Sequence, residues 1–264
     1  MAKLSGEVVA LWLEQDCTNQ EFLRVRVVVH ETISQRIPKY SSEYVAELSE
    51  SIEADVIYHL EVRANEYNRD GVSPSFEIEG EAPDVYFKVR QSPEKDLLTL
   101  LRAMTPVGFE VFCGAILKQL SGQIVVEGKP YDGGVDFYAF DLAPGGERGP
   151  APYASRIWII GQSKRYKQRN DITEKDLREF VGGALGKLDQ LRERHPERYG
   201  ILTPVLFAYW TTSDFDRHAK RYARHMGLWY LNGVGLAQLA IRVGLRAEDV
   251  ALSEANAVRK GPQS

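Results

Sequence analysis

The chain has 264 residues, of which 44% are hydrophobic and 27% are charged, as in an ordinary globular protein. No apolar run approaches the roughly 20 residues that span a bilayer. The first residues also lack the apolar core of a signal peptide, so no membrane partner is expected. The two cysteines, Cys17 and Cys113, form neither a metal-ligand pair nor a disulfide framework. We interpret them as reduced thiols, which predicts a cytoplasmic protein.

The net charge of −4 is distributed unevenly along the chain. Residues 1–96 carry 10 Lys/Arg and 19 Asp/Glu, whereas residues 97–245 carry 20 Lys/Arg and 15 Asp/Glu. The acidic front half is expected to repel a phosphate backbone, and the basic second half could accept one. Because a basic excess is often only a solvated surface, charge alone does not identify a nucleic-acid-binding protein.

The front of the chain predicts a small α+β module, residues 1–95. Residues 23–29 and 56–62 alternate apolar and polar side chains, a pattern that predicts half-buried strands. Between them, apolar residues at helical spacing predict one helix. Proline and glycine then punctuate two short strands around 76–78 and 85–89. No catalytic motif is found here, and the boundary is expected near 91–96.

The second half predicts helices alternating with strands. Ser92 and Thr105 each precede a proline, as an N-cap precedes the first helical residue, and each predicts a helix. Glu110 lies at the edge of the apolar face of the second helix. Apolar periodicity then predicts strands at 124–127, 134–140, 156–163, 202–211 and 228–231, and helices at 173–194, 215–225 and 234–243. This order implies a sheet with helices on its faces, followed by a polar tail at 246–264.

Three polar residues of this half form a pattern suited to phosphodiester hydrolysis. This reaction needs a divalent cation with oxygen ligands, and a lysine near the attacking water can stabilise developing negative charge. Asp136 follows a turn sequence at the start of one predicted strand, and Gln162 and Lys164 end the next. Residues two apart in a strand share a face, so Gln162 and Lys164 can serve one site. Asp136 joins them if the two strands pair.

Four segments and a pair of late turns, in the right order, resemble the Mrr-type restriction endonuclease catalytic domain of the PD-(D/E)xK nuclease superfamily. They are residues 105–110 (TPVGFE), 132–137 (DGGVDF), 162–167 (QSKRYK), 180–184 (FVGGA) and the late turns at 211–215 (TTSDF) and 231–233 (LNG). The resemblance covers about residues 100–242 and does not cover residues 1–95. It implies an α/β fold with a restriction-endonuclease-like core, a mixed sheet flanked by helices, in a nuclease domain at 96–245.

The resemblance also implies the roles of the site residues. Asp136 matches the metal-binding aspartate, and Lys164 matches the catalytic lysine. Gln162 replaces the usual acidic residue and is expected to complete the metal site with the Ser163 carbonyl. Glu110 matches the helix acid that assists the metal directly or through water. The implied cofactor is Mg²⁺ or Mn²⁺. A neutral Gln162 predicts weaker metal affinity and a greater need for Glu110.

Residues near this site are candidates for DNA binding. A basic run beside it is expected either to contact phosphates or to form a solvated face, and it consists of Arg165, Tyr166, Lys167 and Arg169. Ser213 is a candidate phosphate ligand at a helix N-terminus, with an ordinary N-cap as the alternative.

The resemblance implies a metal-dependent DNA endonuclease that defends against foreign or modified DNA, as a homodimer or with a partner. The usual front domain of the family reads DNA and is often a winged helix, which the acidic residues 1–95 do not match. A regulatory or protein-interaction module is therefore favoured, with DNA reading through Arg24, Arg26 and Arg63 as the rival hypothesis. The chain could also be a nuclease effector subunit switched through this module by a partner or signal, or a non-cleaving nucleic-acid-binding protein. RNA or branched substrates also stay open.

Overall fold

The computed structural model describes residues 4–69, 72–90, 93–120, 123–126, 134–140, 157–166 and 171–260. The chain divides into two compact units, Met1–Ser92 and Pro93–Ser264. Within these described ranges, no helix combines the length and the apolar character that crossing a membrane requires.

The front unit consists of helices followed by a hairpin. Its elements are α1 (Gly6–Asp16), β1 (Leu23–Arg24), α2 (Val25–Arg36), α3 (Ser42–Arg69), β2 (Phe76–Glu79) and β3 (Tyr86–Val89). The strands form an antiparallel sheet in the order β1-β3-β2. The predicted dominance of strands is wrong, because three helices account for most of this unit and its three strands are short.

Most of the first predicted strand and all of the second lie in helices: residues 25–29 belong to α2, after the two residues of β1, and residues 56–62 belong to α3. In α2 the buried residues recur at helical spacing, since they are Val25, Val28, Val29, Thr32 and Ile33. In α3 they recur along one face, from Val45 through Ile52, Val56 and Leu60 to Tyr67. A short alternating run on such a helix imitates a strand, and the helical period becomes clear only over about 11 residues or more.

A buried carboxylate ties the elements of the front unit together. Glu14 on α1 accepts hydrogen bonds from Arg63 Nε at 2.9 Å and from the Tyr67 hydroxyl at 2.6 Å, both on α3. The Ser75 hydroxyl, just before β2, donates to Glu14 Oε1 at 3.0 Å, the same oxygen that accepts from Tyr67. Because the charge of Glu14 is paired and hydrogen-bonded, its burial is compatible with a stable fold.

The second unit is a five-stranded mixed sheet with helices on both faces. Its elements are α4 (Pro93–Ala103), α5 (Pro106–Leu120), β4 (Gln123–Val126), β5 (Phe137–Phe140), β6 (Trp158–Lys164), α6 (Glu174–Arg194), β7 (Val205–Thr211), α7 (Arg217–Met226), β8 (Trp229–Leu231), α8 (Gly233–Arg242) and α9 (Ala247–Lys260). The strand order is β4-β5-β6-β7-β8. β5 is antiparallel to β4 and β6, and β6, β7 and β8 are parallel. The predicted fold class is confirmed.

Alternating side chains of the strands supply two cores. On one face, Phe137, Ile159 and Trp210 pack with α4, α5, α8 and α9. On the other, Trp158, Ile160 and Tyr209 pack with α6 and α7. β6 is therefore buried on both faces along most of its length. It becomes accessible to a substrate only at its carboxyl end, where Lys164 is half-buried.

The segment predicted to be a polar tail instead contains a helix, because residues 247–260 form α9. The Glu254 carboxylate on α9 accepts hydrogen bonds from the backbone amide of Thr105 at 2.5 Å and from its hydroxyl at 2.9 Å. Thr105 itself caps α5 by accepting from the amide of Gly108 at 3.0 Å. A carboxylate at a helix N-terminus is favourable, so α9 stabilises the start of the helix that carries Glu110.

Candidate active site

The site residues meet where β6 ends and β5 begins. β5 and β6 are antiparallel with Phe137 opposite Gly161, so the same register places Asp136 opposite Gln162. The amide of Asp136 donates to the carbonyl of Gly161 at 2.9 Å, which extends the pairing to this position. Gln162 and Lys164 alternate with Ser163 along β6 and share a face. The structure thus brings Asp136, Gln162 and Lys164 to one edge of the sheet.

Asp136 is held by the residue between the other two. Its Oδ2 accepts hydrogen bonds from the Ser163 amide at 2.7 Å and from the Ser163 hydroxyl at 3.2 Å. Hydrogen bonds to a carboxylate are stronger than those between neutral groups, so this pair fixes the orientation of the carboxylate.

Gln162 and Lys164 make no comparable contacts. Gln162 is only 6% exposed, yet its amide forms no hydrogen bond with any described residue. The Lys164 ammonium is half-buried and forms no salt bridge within the described part of the chain. Gly134 leaves room beside the Gln162 amide, because its φ is +78° and a Cβ there would lie 2.9 Å from Gln162 Nε2. The Gln162 amide therefore keeps its donor and acceptor capacity for a ligand.

The buried thiol of Cys113 connects Glu110 to this edge. Burial raises the pKa of Cys113 well above its usual value, and the negative charge of Asp136 raises it further. A hydrogen bond with Ser163 opposes the shift, and the charge of Glu110 adds to it. The negative charges of Glu110 and Asp136 therefore both raise the pKa of one thiol, which belongs to α5 and hydrogen-bonds with Ser163 on β6. That thiol stays protonated, so it is not prepared to bind a cation as a thiolate.

Thr211 and Thr212, which the sequence placed in a late turn without a role, hold the chain just beyond Lys164. The Thr211 hydroxyl donates to the carbonyl of Lys164 at 2.8 Å. The Thr212 hydroxyl accepts from the amide of Tyr166 at 3.0 Å and donates to its carbonyl at 2.9 Å. Because β6 and β7 are parallel with Lys164 opposite Thr211, the end of β7 fixes the end of β6. The two adjacent threonines at a predicted strand end were the available signal.

Tyr209 was also missed. It lies opposite Gln162 in the parallel register and is buried. Burial is the main cause that raises its pKa, followed by the charge of Asp176, and Asp136 contributes as well. Its phenol therefore stays neutral beside the acidic residues of the site. Buried aromatic residues usually belong to a core, so the sequence alone does not mark it.

The candidate DNA-binding residues differ in where the structure places them. Arg165 and Tyr166 directly follow β6 and are half-buried, and the Arg165 Nε is buried without a hydrogen-bond partner among the described residues. Lys167 and Arg169 lie outside the described residues. Ser213 does not begin a helix, which corrects its predicted place. The N-cap of α7 is Asp216, and Ser213 is 8% exposed in the turn before it.

The donor set fits a hard divalent cation. Within the described ranges, no three His, Cys, Asp or Glu side chains are grouped to hold a metal. However, Mg²⁺ is usually bound by one or two carboxylates, waters and substrate phosphates. The Asp136 carboxylate and the underused amide of Gln162 supply oxygen donors on one edge, and the Ser163 carbonyl and Glu110 are the remaining candidates.

The chain was compared with known proteins in three ways. A sequence-family model described as a restriction endonuclease domain (Mrr_cat) matches residues 101–240. No curated protein matches the chain. Among solved structures, it is similar to the DNA modification-dependent restriction endonuclease AspBHI, with 20% identity, a TM-score of 0.40, and 65% of this chain and 41% of that chain covered. The MspJI restriction endonuclease in complex with a 27-mer oligonucleotide is similar with 16% identity, a TM-score of 0.39, and 63% and 35% covered.

The structural likenesses are distant, and the family match is the stronger finding. FokI shares 10% identity, with a TM-score of 0.39 and coverage of 95% of this chain and 46% of that one. At these TM-scores no residue role or substrate follows from the structures, and the chain spans less than half the length of each. The family match, by contrast, covers more than half of this chain and contains every candidate residue of the site. The chain belongs to the Mrr-type restriction endonuclease family.

Proposed function

We propose that this protein is a metal-dependent DNA endonuclease that hydrolyses phosphodiester bonds in foreign or modified DNA. The observation that carries the proposal is the meeting of Asp136, Gln162 and Lys164 at one sheet edge, with a buried amide and an ammonium that lack partners in the described part of the chain. A site of fixed carboxylate, amide and ammonium suits a polyanionic substrate and a cation. Because duplex cleavage needs two active sites, the active form is a homodimer or a complex with a partner.

Each residue has a role in this proposal. Asp136, oriented by Ser163, and Gln162 would hold Mg²⁺ or Mn²⁺, with the Ser163 carbonyl and Glu110 completing the set. The cation would polarise the phosphate and lower the pKa of a bound water. Lys164 donates to the phosphate and stabilises the negative charge that develops there. Arg165 and Tyr166 bind neighbouring phosphates and fix the position of the backbone.

The direct test is incubation of the protein with methylated and unmethylated plasmid, with Mg²⁺ or with a chelator. We expect nicked and linear DNA only with the cation. A preference for one plasmid would identify the modification state that the enzyme cuts. Intact plasmid under all conditions would favour a non-cleaving binding protein, and cleavage only of RNA or of branched DNA would replace the substrate class.

Gln162 sets the metal affinity in this proposal. Replacing Gln162 with Glu adds a carboxylate, and a unit charge pair at about 4 Å is worth about 4 kcal/mol at an effective dielectric of 20. Desolvation of the added carboxylate offsets most of this attraction, so we expect the half-saturating Mg²⁺ concentration of Gln162→Glu to fall about tenfold, equivalent to about 1.4 kcal/mol. Gln162→Ala should raise it, and both changes are measured by titrating Mg²⁺ in the plasmid assay.

Gln190→Glu is the matched control, because Gln190 is exposed on α6, in the same unit. It adds the same charge away from the site and should leave the Mg²⁺ titration unchanged. A Gln162→Ala enzyme that cuts at the wild-type rate at limiting Mg²⁺ would remove Gln162 from the metal site.

We further propose that the front unit is an interaction or regulatory module. In helix-turn-helix domains the second helix enters the major groove. If α2 and α3 formed such a pair, that helix would be α3, which carries seven Asp/Glu and two Arg. The arginines of the rival DNA-reading patch are also engaged. Arg24 pairs with Asp84, Arg26 with Glu50 and Glu53, and Arg63 with Glu14.

A double variant of the full chain tests this role. Arg24→Gln/Arg26→Gln removes two cations that are 58% and 49% accessible, so loss of the exposed pairs with Asp84 and Glu50 costs little stability. Glu53, the other partner of Arg26, is 13% accessible, so thermal unfolding is measured to show that the variant is folded. We expect the affinity for duplex DNA, and its salt dependence, to stay unchanged. A shallower salt dependence, or loss of a sequence preference, would restore the DNA-reading hypothesis.

A further inference from the structure

Helix α7 presents a strongly basic exposed side. Within Arg217–Met226 there are four Lys/Arg and two His, and no acidic residue. Its buried residues are Ala219 and Ala223, and Lys220 pairs with Asp214 at 3.4 Å. The remaining cationic and imidazole side chains are exposed, and we call them the α7 basic face: Arg217, His218, Arg221, Arg224 and His225.

The stability of α7 itself does not account for this composition. Arg217 is the first residue of the helix, at the positive end of the helix dipole, where a cation is unfavourable. Like charges at i,i+4 and i,i+3, such as Arg217 with Arg221 and Arg221 with Arg224, repel each other on a helix. Neither Arg217 nor Arg221 forms a salt bridge within the described residues, and Glu174 on α6, whose charge also interacts with Arg221 and His218, is paired with Arg178. A polyanion on this face would relieve the repulsion.

The α7 basic face begins at the edge of the sheet that carries the active site. The turn before it is joined to the chain beyond Lys164, because Thr212 binds the backbone of Tyr166. The amide of Asp216, the N-cap of α7, donates to the carbonyl of Ile172 at 2.9 Å, and the amide of Ile172 donates to Asp214. Arg217 therefore follows a turn that is fixed to the chain just beyond β6 at Thr212 and to Ile172 at Asp216.

We propose that the α7 basic face binds the DNA backbone beside the scissile phosphate. This inference rests on the proposed function, and it names a contact surface outside the active site. From Arg217 to Arg224 the helix rises about 10 Å. One strand of duplex DNA carries a phosphate about every 3.4 Å along the axis, so the face matches about three phosphates. Phosphate contacts of this kind hold the duplex in position without reading its sequence.

The test is the salt dependence of DNA binding by Arg217→Gln/Arg221→Gln in the full chain. Each lost phosphate contact lowers the slope of log K against log salt concentration by about 0.9. We expect a slope shallower by about 1.8, measured on duplex DNA in chelator so that binding does not depend on cleavage. The matched control is Arg194→Gln/Arg242→Gln, which removes two exposed cations from the last turns of α6 and α8.

The outcomes separate this surface from the catalytic proposal. A shallower slope for the α7 variant alone supports the surface, and equal slopes for the two double variants overturn it. Wild-type cleavage with Mg²⁺ is scored independently, so an inactive wild type would reject the proposed function while leaving the binding result in place. Thermal unfolding of both double variants shows that each is folded, since Gln and Arg have similar helix propensities.

Discussion

Lys164→Ala is expected to lower the plasmid cleavage rate by about 10²–10³-fold, the effect of removing one group that stabilises transition-state charge. The Lys164 carbonyl is fixed by Thr211 at 2.8 Å, whereas its ammonium has no salt bridge within the described residues. The substitution therefore removes the charge and leaves the backbone in place. The affinity for duplex DNA, measured in chelator, should fall by no more than the contribution of one phosphate contact.

Lys175→Ala is the control for this change, because Lys175 is an exposed lysine of the same unit, with 84% of its side chain accessible. Both variants should unfold within about 2 °C of the wild type, since substitutions away from buried networks change stability by about 0.5 kcal/mol or less. Lys164→Arg should recover part of the rate if charge is what matters. A Lys164→Ala enzyme that cuts at the wild-type rate would contradict the mechanism.

The nuclease unit could be predicted from the sequence because its local patterns are long and punctuated. The Thr173 capping box begins α6, as the predicted start of that helix required. The apolar run of β6, buried on both faces, indicated a strand between turn signals. In the front unit the same rules failed. Short alternations in α2 and α3 fit a strand as well as a helix. Only the burial pattern decides between them: Val29 and Ile33 are buried one helical turn apart in α2, as are Val56 and Leu60 in α3.

The candidate site could be predicted only in part. Asp136, Gln162 and Lys164 were placed together because strand period and pairing fix their faces. The thiol of Cys113 and the hydroxyl of Thr212 were missed because their roles depend on contacts between elements far apart in sequence. Ser213 was misplaced because the turn continues to Asp216 before α7 begins. Helix starts that depend on which of several Ser or Asp residues forms the cap are difficult to predict from sequence.

Asp136→Asn is expected to abolish detectable cleavage and to abolish stabilisation by Mg²⁺. Oδ2 of Asp136 accepts two hydrogen bonds from Ser163. In the variant, the amide oxygen takes that position, so the nitrogen occupies the other one, where it cannot bind a cation. Because the remaining hydrogen bonds lose their charge assistance, the variant without metal should be less stable by about 1 kcal/mol.

The response to Mg²⁺ separates this loss of stability from loss of the metal site. A ligand at ten times its Kd stabilises a folded protein by about 1.4 kcal/mol, which raises the Tm of a unit of this size by about 3–6 °C. We expect this shift in the wild type and in Asp189→Asn, an exposed aspartate on α6 with 71% of its side chain accessible. Asp136→Asn should show none. An equal shift in both variants would place the cation elsewhere, even if Asp136→Asn were inactive, because the metal would then bind without the carboxylate that Ser163 orients.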